Sequence, residues 1–200
     1  MKIGIYGGSF NPVHNGHIHL AETAMKDFGL DYIFFVPSRI SPHNSSDEYF
    51  SGADRLEMLK LACSGNEKFH VSDYELKSDR TSYSIYTVEH FLRKFPHDKL
   101  FLLIGSDMLM SFDTWYCFEK ILSDVTLCVV SRNEGDLDTL QKKACELSVY
   151  GEILISFAPP EVISSTEIRK KLCENSDFSC YLDKNVVKYI MSKKLYTCDN

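Results

Sequence analysis

The sequence predicts an α/β fold: a doubly wound parallel sheet flanked by helices, closed by a small helical part at the C-terminal end. Three observations lead there. Short apolar runs alternate with helical patterns along most of the 200 residues. Two of those runs, 32–36 and 100–104, are almost continuously apolar, as in strands covered on both faces. A Gly7-Gly8 pair stands just after the first run and ahead of the first helix.

Taken in order, residues 2–6 read as the first strand. A helix is predicted over 15–28: Asn15 offers an N-cap, Leu20, Ala21, Ala24, Met25 and Phe28 form an apolar stripe, and Gly29 stops it. The strand 32–36 leads into a polar loop, 37–47, with two prolines. An amphipathic helix over 51–63 ends near Gly65, and 69–76 reads as a strand entering a charged turn. A helix over 82–95 is ended by Pro96. The strand 100–104 is closed by Gly105-Ser106-Asp107, and two short helical segments follow through Trp115 and Leu122. Strands at 125–130 and 153–157 bracket a helix at 137–147, and helices at 165–173 and 184–194 complete the chain. No repeat or linker interrupts this rhythm, so 1–200 reads as one unit, with 164–200 as a helical part packed on it. The alternation is that of a Rossmann-like sheet, whose ligands sit beyond the carboxyl ends of the strands. Residues directly after each strand are therefore the candidates for function.

Composition narrows the partners. Apolar residues (44%) and charged residues (25%) are at globular levels. A net charge of -6 and the lack of a basic-aromatic stripe argue against nucleic acid and anionic membranes. No run approaches the roughly 18 apolar residues of a membrane span, and the N-terminus shows no leader pattern. Seven cysteines lie at 63, 117, 128, 145, 173, 180 and 198 without C-x-x-C spacing. They read as reduced packing residues of a cytoplasmic protein, not as a disulfide framework or zinc site.

The first strand-to-helix turn carries the chemistry. Glycines let the backbone turn sharply and approach a ligand, and the helix start offers unpaired N–H groups to an anion. His14 and His17, three apart, can face one bound group across that start, with Gly16 keeping the space between them clear. Two imidazoles at a phosphate can stabilise charge developing in a nucleotidyl transfer. A glycine turn followed by surface histidines is the plainer reading of the same residues. His19 lies roughly 200° round the helix from His17 and falls outside the site. H-x-x-H with no third ligand nearby is a poor zinc pattern, so no protein-held metal is expected.

The run Gly8-Ser9-Phe10-Asn11-Pro12-Val13-His14-Asn15-Gly16-His17 resembles the signature of the HxGH nucleotidylyltransferases, and its fuller form resembles the bacterial nicotinate-nucleotide adenylyltransferases. Ser82-Tyr83-Ser84 is similar to that family's SYT element. Gly105-Ser106-Asp107-Met108-Leu109 with Phe112 and Trp115-Tyr116 is similar to its G-x-D-x-L…F-x-x-W element, and Ile163-Ser164-Ser165-Thr166-Glu167-Ile168-Arg169 to its ISSTxIR element. Order and spacing agree over nearly the whole chain.

The resemblance implies in-line attack by the phosphate of nicotinate mononucleotide on the α-phosphorus of ATP. Deamido-NAD and pyrophosphate form, with Mg²⁺ on the triphosphate and no covalent intermediate. It implies that His14 and His17 contact the ATP phosphates, with Gly7, Gly8, Ser9, Phe10 and Gly16 completing the ATP-binding turn. Ser165, Thr166 and Arg169 would form a second phosphate cradle, although Ser164 to Glu167 also fits simple helix capping. Arg132 would approach the ATP side; here it stands in Arg132-Asn133-Glu134-Gly135, without the proline usual in the family. Trp115 would stack on the pyridine ring, its alternative being a core aromatic. Backbone N–H groups near Ser84 and Tyr116 would meet the nicotinate carboxylate. Asp107 would hold a ribose hydroxyl or the ring pocket, or merely cap the next helix. His43 and Asn44 fall where the family commonly has His followed by Lys or Arg at the mononucleotide phosphate. Asn44 carries no charge, and Arg39 or Arg55 is expected to supply it. Nicotinamide mononucleotide or phosphopantetheine as acceptor, and a nucleotide-binding protein without catalysis, are the competing readings. A homo-oligomer is compatible with the sequence.

Overall fold

The computed structural model describes residues 1–39, 50–131, 135, 137–156, 164–174 and 176–196. Its strands are β1 (Lys2–Gly8), β2 (Tyr32–Pro37), β3 (Phe69–Val71), β4 (Lys99–Gly105), β5 (Thr126–Val130) and β6 (Ile153–Ser156). They form one sheet in the order β3-β2-β1-β4-β5-β6 with every pairing parallel. The chain winds outward from β1 to β3, then returns to β4 beside β1 and winds the other way. This is the doubly wound, Rossmann-like arrangement that the sequence predicts, with its switch point between β1 and β4.

Side chains alternate between the two faces of each strand, and each face has its own core. Ile3, Ile5, Leu100, Leu102, Ile104, Leu127 and Val129 pack under α4 (Ser84–Lys94), α6 (Phe118–Asp124) and α7 (Leu137–Leu147). Tyr6, Ile33, Phe35, Phe101, Leu103 and Val130 pack under α1 (Asn15–Phe28) and α2 (Gly52–Cys63). The late helices α8 (Ser165–Cys173) and α9 (Lys184–Lys193) join that second core through Ile168, Leu172, Val186 and Ile190. Tyr189 of α9 also donates to Asp54 of α2 at 2.9 Å. Burial and that carboxylate push its phenol up to about 12. The C-terminal part is thus packed on the sheet's helical layer.

Several predicted elements differ in detail. Gly29 closes α1 in the left-handed region, φ 65°, as its glycine predicts. Asn15 is not the N-cap: His14 takes that place in extended conformation. The predicted strand 69–76 splits into β3 and the single turn α3 (Tyr74–Lys77), because Glu75 is drawn inward by hydroxyls from later in the chain. The predicted helix over 82–95 begins two residues later, leaving Ser82 and Tyr83 ahead of it. Between β4 and β5 the chain makes α5 (Ser106–Leu109), one 3₁₀ turn at 112–114, and α6; Trp115 is extended. The cysteine expectation also needs correction. Cys63 and Cys128 are buried packing residues whose thiols desolvation pushes up to about 12. Cys173, however, is disulfide-bonded. Among the described residues no helix is long and apolar enough to cross a membrane.

Candidate active site

The carboxyl ends of β1, β2 and β4 diverge at the switch point and open a cleft of about 710 Å³, within the range of small-molecule sites. One wall comes from the β1 exit. Gly7, Gly8 and Ser9 line the cleft with His14 and His17. A side chain at Gly8 would press on the Phe10 ring, 3.1 Å from the added carbon. Phe10 itself does not line the cleft. It is wholly buried at φ 47°, its ring 5.4 Å from Tyr6, 5.0 Å from His17 and 5.9 Å from Phe35. The predicted ATP contact is therefore corrected for its side chain: Phe10 is the wedge behind the turn.

The histidines are locked as a pair. The His14 N–H donates to Nδ1 of His17 at 3.2 Å, and the two rings lie 3.7 Å apart. An Nδ1 that accepts places the imidazole proton on Nε2, which makes that nitrogen of His17 a donor. His14 is 7% exposed, which fixes its ring against the same turn. Neither His19 nor Gly16 lines the cleft.

The start of α8 reaches the same wall. Ser164, Ser165 and Thr166 line the cleft. Ser164 accepts from the Glu167 N–H at 3.1 Å and donates to its carboxylate at 3.0 Å, so the predicted capping is present. Ser165 donates to the Pro12 carbonyl at 3.0 Å, stitching α8 to the first turn. Arg169 sits behind: it donates to the Asn11 carbonyl at 2.9 Å and to Thr166 at 3.3 Å.

Asn11 is the hub of that support. Its side-chain oxygen accepts from the Tyr196 hydroxyl at 2.9 Å and from the Phe50 N–H at 3.4 Å. Arg55, 2% exposed, donates to the carbonyls of Ser9 at 2.7 Å and Phe50 at 3.1 Å. Arg39 is engaged with Asp79 at 2.7 Å and the Ser78 carbonyl. Neither arginine side chain lines the cleft, contrary to the expectation that one of them supplies the cation absent at Asn44. His43, Asn44 and Arg132 lie outside the described residues.

The other wall carries a different chemistry. Ser82, Tyr83 and Ser84 lead into α4, and Asp107, Met108, Thr114, Trp115 and Tyr116 come from the stretch after β4. Trp115 rests on Phe112 with ring centroids 4.8 Å apart, and Tyr116 lies 4.9 Å from Tyr83. Two polar residues here escaped the sequence reading. Ser38 follows β2 directly, is 6% exposed, and its hydroxyl has no hydrogen-bond partner among the described residues. Its place after a strand was the available signal. Glu75, 7% exposed, also lines the cleft, and no local pattern announced it. The cleft offers hydroxyls, imidazoles and backbone N–H groups, donors suited to phosphate oxygens. No group of three His, Cys, Asp or Glu side chains is placed to hold a metal among the described residues.

Comparison with known proteins gives first the class. Residues 5–171 match the cytidylyltransferase-like family, so fold and cleft are those of a nucleotidyltransferase. The particular family follows from curated relatives. A probable nicotinate-nucleotide adenylyltransferase of Clostridium tetani is 34% identical over 197 residues, 98% of each chain. One of Halalkalibacterium halodurans is 38% identical over 98% of this chain and 91% of its own. The nicotinate-nucleotide adenylyltransferase of Bacillus subtilis is 32% identical over 98% of both. This chain belongs to the nicotinate-nucleotide adenylyltransferase family. The fold agrees with that of the Plasmodium falciparum nicotinic acid mononucleotide adenylyltransferase complexed with NaAD, at TM-score 0.80 and 20% identity over 98% and 97% of the two chains.

Proposed function

We infer that this enzyme transfers the adenylyl group of ATP to nicotinate mononucleotide, giving deamido-NAD and pyrophosphate in NAD biosynthesis. One observation carries the reading: a single cleft joins a phosphate-suited wall, His14, His17 and the α8 hydroxyls, to an aromatic wall around Trp115 with the α4 start beside it.

In the reaction an oxygen of the mononucleotide phosphate bonds to the α-phosphorus of ATP. The bond from that phosphorus to the bridging oxygen breaks, and pyrophosphate leaves. A phosphate monoester is largely dianionic at neutral pH, so the nucleophile needs no general base. Catalysis is positioning and charge stabilisation. His17, through Nε2–H, and His14 meet the charge that builds on the ATP phosphates. Gly7, Gly8 and Ser9 let the triphosphate lie against the backbone, and the N-terminus of α8 receives its tail through Ser165 and Thr166. Arg169 adds its charge from behind that tail. Mg²⁺ favours phosphate oxygens and water as ligands, so it would be carried on the triphosphate, where it would neutralise phosphate charge. Trp115 stacks on the pyridine ring, Asp107 holds a ribose hydroxyl, and the N–H groups near Ser84 and Tyr116 meet the ring carboxylate. An amide would set donors against donors there. With ATP as donor, the reaction belongs to the cytoplasm.

The test is product analysis after incubation with ATP, Mg²⁺ and nicotinate mononucleotide. Equal amounts of deamido-NAD and pyrophosphate are expected; ATP left unconsumed overturns the reading.

A further inference from the structure

Glu75 is a buried carboxylate at the edge of the cleft with no part in the chemistry above. Its oxygens meet two hydroxyls. Thr87 donates to it at 2.5 Å, and Ser82 is its second side-chain partner. The Ser82 oxygen in turn accepts the Arg39 N–H at 3.0 Å, just past the end of β2. One carboxylate therefore ties three pieces together: the β2 exit through Arg39 and Ser82, the chain ahead of α4, and the first turn of α4 at Thr87.

Residues Tyr83 to Tyr86 lie between those two anchors. Tyr83 occupies the N-cap of α4 and provides no side-chain cap; the Tyr86 N–H donates to the Tyr83 carbonyl at 3.0 Å, and the N–H groups of Ser84 and Ile85 ahead of it are the ones that can meet a ligand. How far apart the Ser82 and Thr87 hydroxyls are held sets where those groups stand. Stability does not explain the carboxylate. Burial pushes its pKa up, and the hydrogen bonds from Thr87 and Ser82 and the Arg55 charge only partly offset that cost. An apolar pair of the same volume would fill the space at least as well. It also places a negative group behind a subsite for an anion, which is tolerable only while both hydroxyls are donated to it.

We propose that Glu75 is the positioning residue of the acceptor subsite. By holding the Ser82 and Thr87 hydroxyls at fixed separation, it sets the α4 start for an acceptor with an anionic ring substituent and against its amide. The inference rests on the functional reading above, and its experiment separates the two. The ratio of kcat/KM for nicotinate mononucleotide to that for nicotinamide mononucleotide is measured in wild type, Glu75→Gln, Thr87→Val and Thr87→Ser. A glutamine has one acceptor oxygen, so one hydroxyl loses its partner. The ratio should fall on the order of ten-fold in Glu75→Gln and Thr87→Val, carried by KM for the acid acceptor and not by KM for ATP. Thr87→Ser keeps the hydroxyl and should restore the wild-type ratio. If Glu75→Gln does not fold, the Thr87 pair alone decides. A lower melting temperature with an unchanged ratio overturns the proposal and leaves Glu75 a structural group. A wild type inactive on nicotinate mononucleotide overturns instead the functional reading on which the proposal stands.

Discussion

Replacing His17 by Ala separates what this ring does for the fold from what it does for the reaction. The substitution removes the Nδ1 that accepts the His14 N–H at 3.2 Å. It also removes a ring 5.0 Å from Phe10 and 3.7 Å from His14, and the Nε2–H donor proposed to meet the ATP phosphates. The lost acceptor is half of a capping box, and such caps contribute about 0.5–2 kcal/mol. For a chain of this size each kcal/mol moves Tm by roughly 2–4 °C, so Tm should fall by about 1–8 °C. The lost donor is a transition-state contact, worth about 10²–10³ in kcat. Thermal unfolding and steady-state kinetics at saturating ATP read the two separately. His17→Gln restores an acceptor to the cap and should recover most of the Tm but little of the turnover. The reasoning fails if folded His17→Ala turns over within about three-fold of wild type, or if glutamine recovers activity and Tm in parallel.

Three further outcomes follow. Gly151→Ala places a Cβ 1.9 Å from the Leu122 carbonyl oxygen. Backbone must shift, so chemical denaturation should show a loss of about 2 kcal/mol or more, while kcat per folded molecule stays at the wild-type value. Tyr196→Phe deletes the buried hydroxyl that Asn11 accepts at 2.9 Å. It should cost about 1–3 kcal/mol by urea titration and raise KM for ATP, because the first turn loses its far support; unchanged stability contradicts this. Burial holds the Glu75 carboxyl above its ordinary value of 4.5. The folded state then binds that proton more tightly than the unfolded state, so this group's contribution is full below that value and is lost as pH rises through the folded one. The Tm of wild type minus that of Glu75→Gln should therefore fall as pH rises above 4.5; a flat or rising difference is the contrary result.

The frame was legible because it rests on short-range regularity. Continuous apolar runs at 32–36 and 100–104 became the interior strands β2 and β4, and the stripe from Leu20 to Phe28 became α1 within the predicted bounds. The strand-end rule also found both walls of the cleft, since Gly7-Gly8 close β1 while Asp107 and Trp115 come after β4. What stayed hidden depends on partners distant in sequence. Glu75 turns inward only because Thr87, twelve residues on, donates to it, and carboxylates are seldom buried. Tyr196 meets Asn11 across 185 residues, and no local pattern encodes such a reach. Phe10 reads as a ligand contact in the sequence because it stands inside the glycine-rich turn; its positive φ and full burial belong to the tertiary packing of Tyr6, Phe35 and His17. Histidine is not among the favoured cap residues, so the sequence gives no sign that His14 caps α1. Arg55 and Arg39 looked like available cations until carbonyls and Asp79 were seen to engage them.

The central claim is that one cleft brings the ATP phosphates at His14 and His17 to the phosphate of a pyridine mononucleotide bearing a carboxylate. Pyrophosphate release measured with ATP and Mg²⁺ against nicotinate or nicotinamide mononucleotide tests it most directly. The account predicts turnover with the acid acceptor, at a kcat/KM at least about ten-fold above that for the amide. A preference for the amide acceptor, or release with neither, would contradict it.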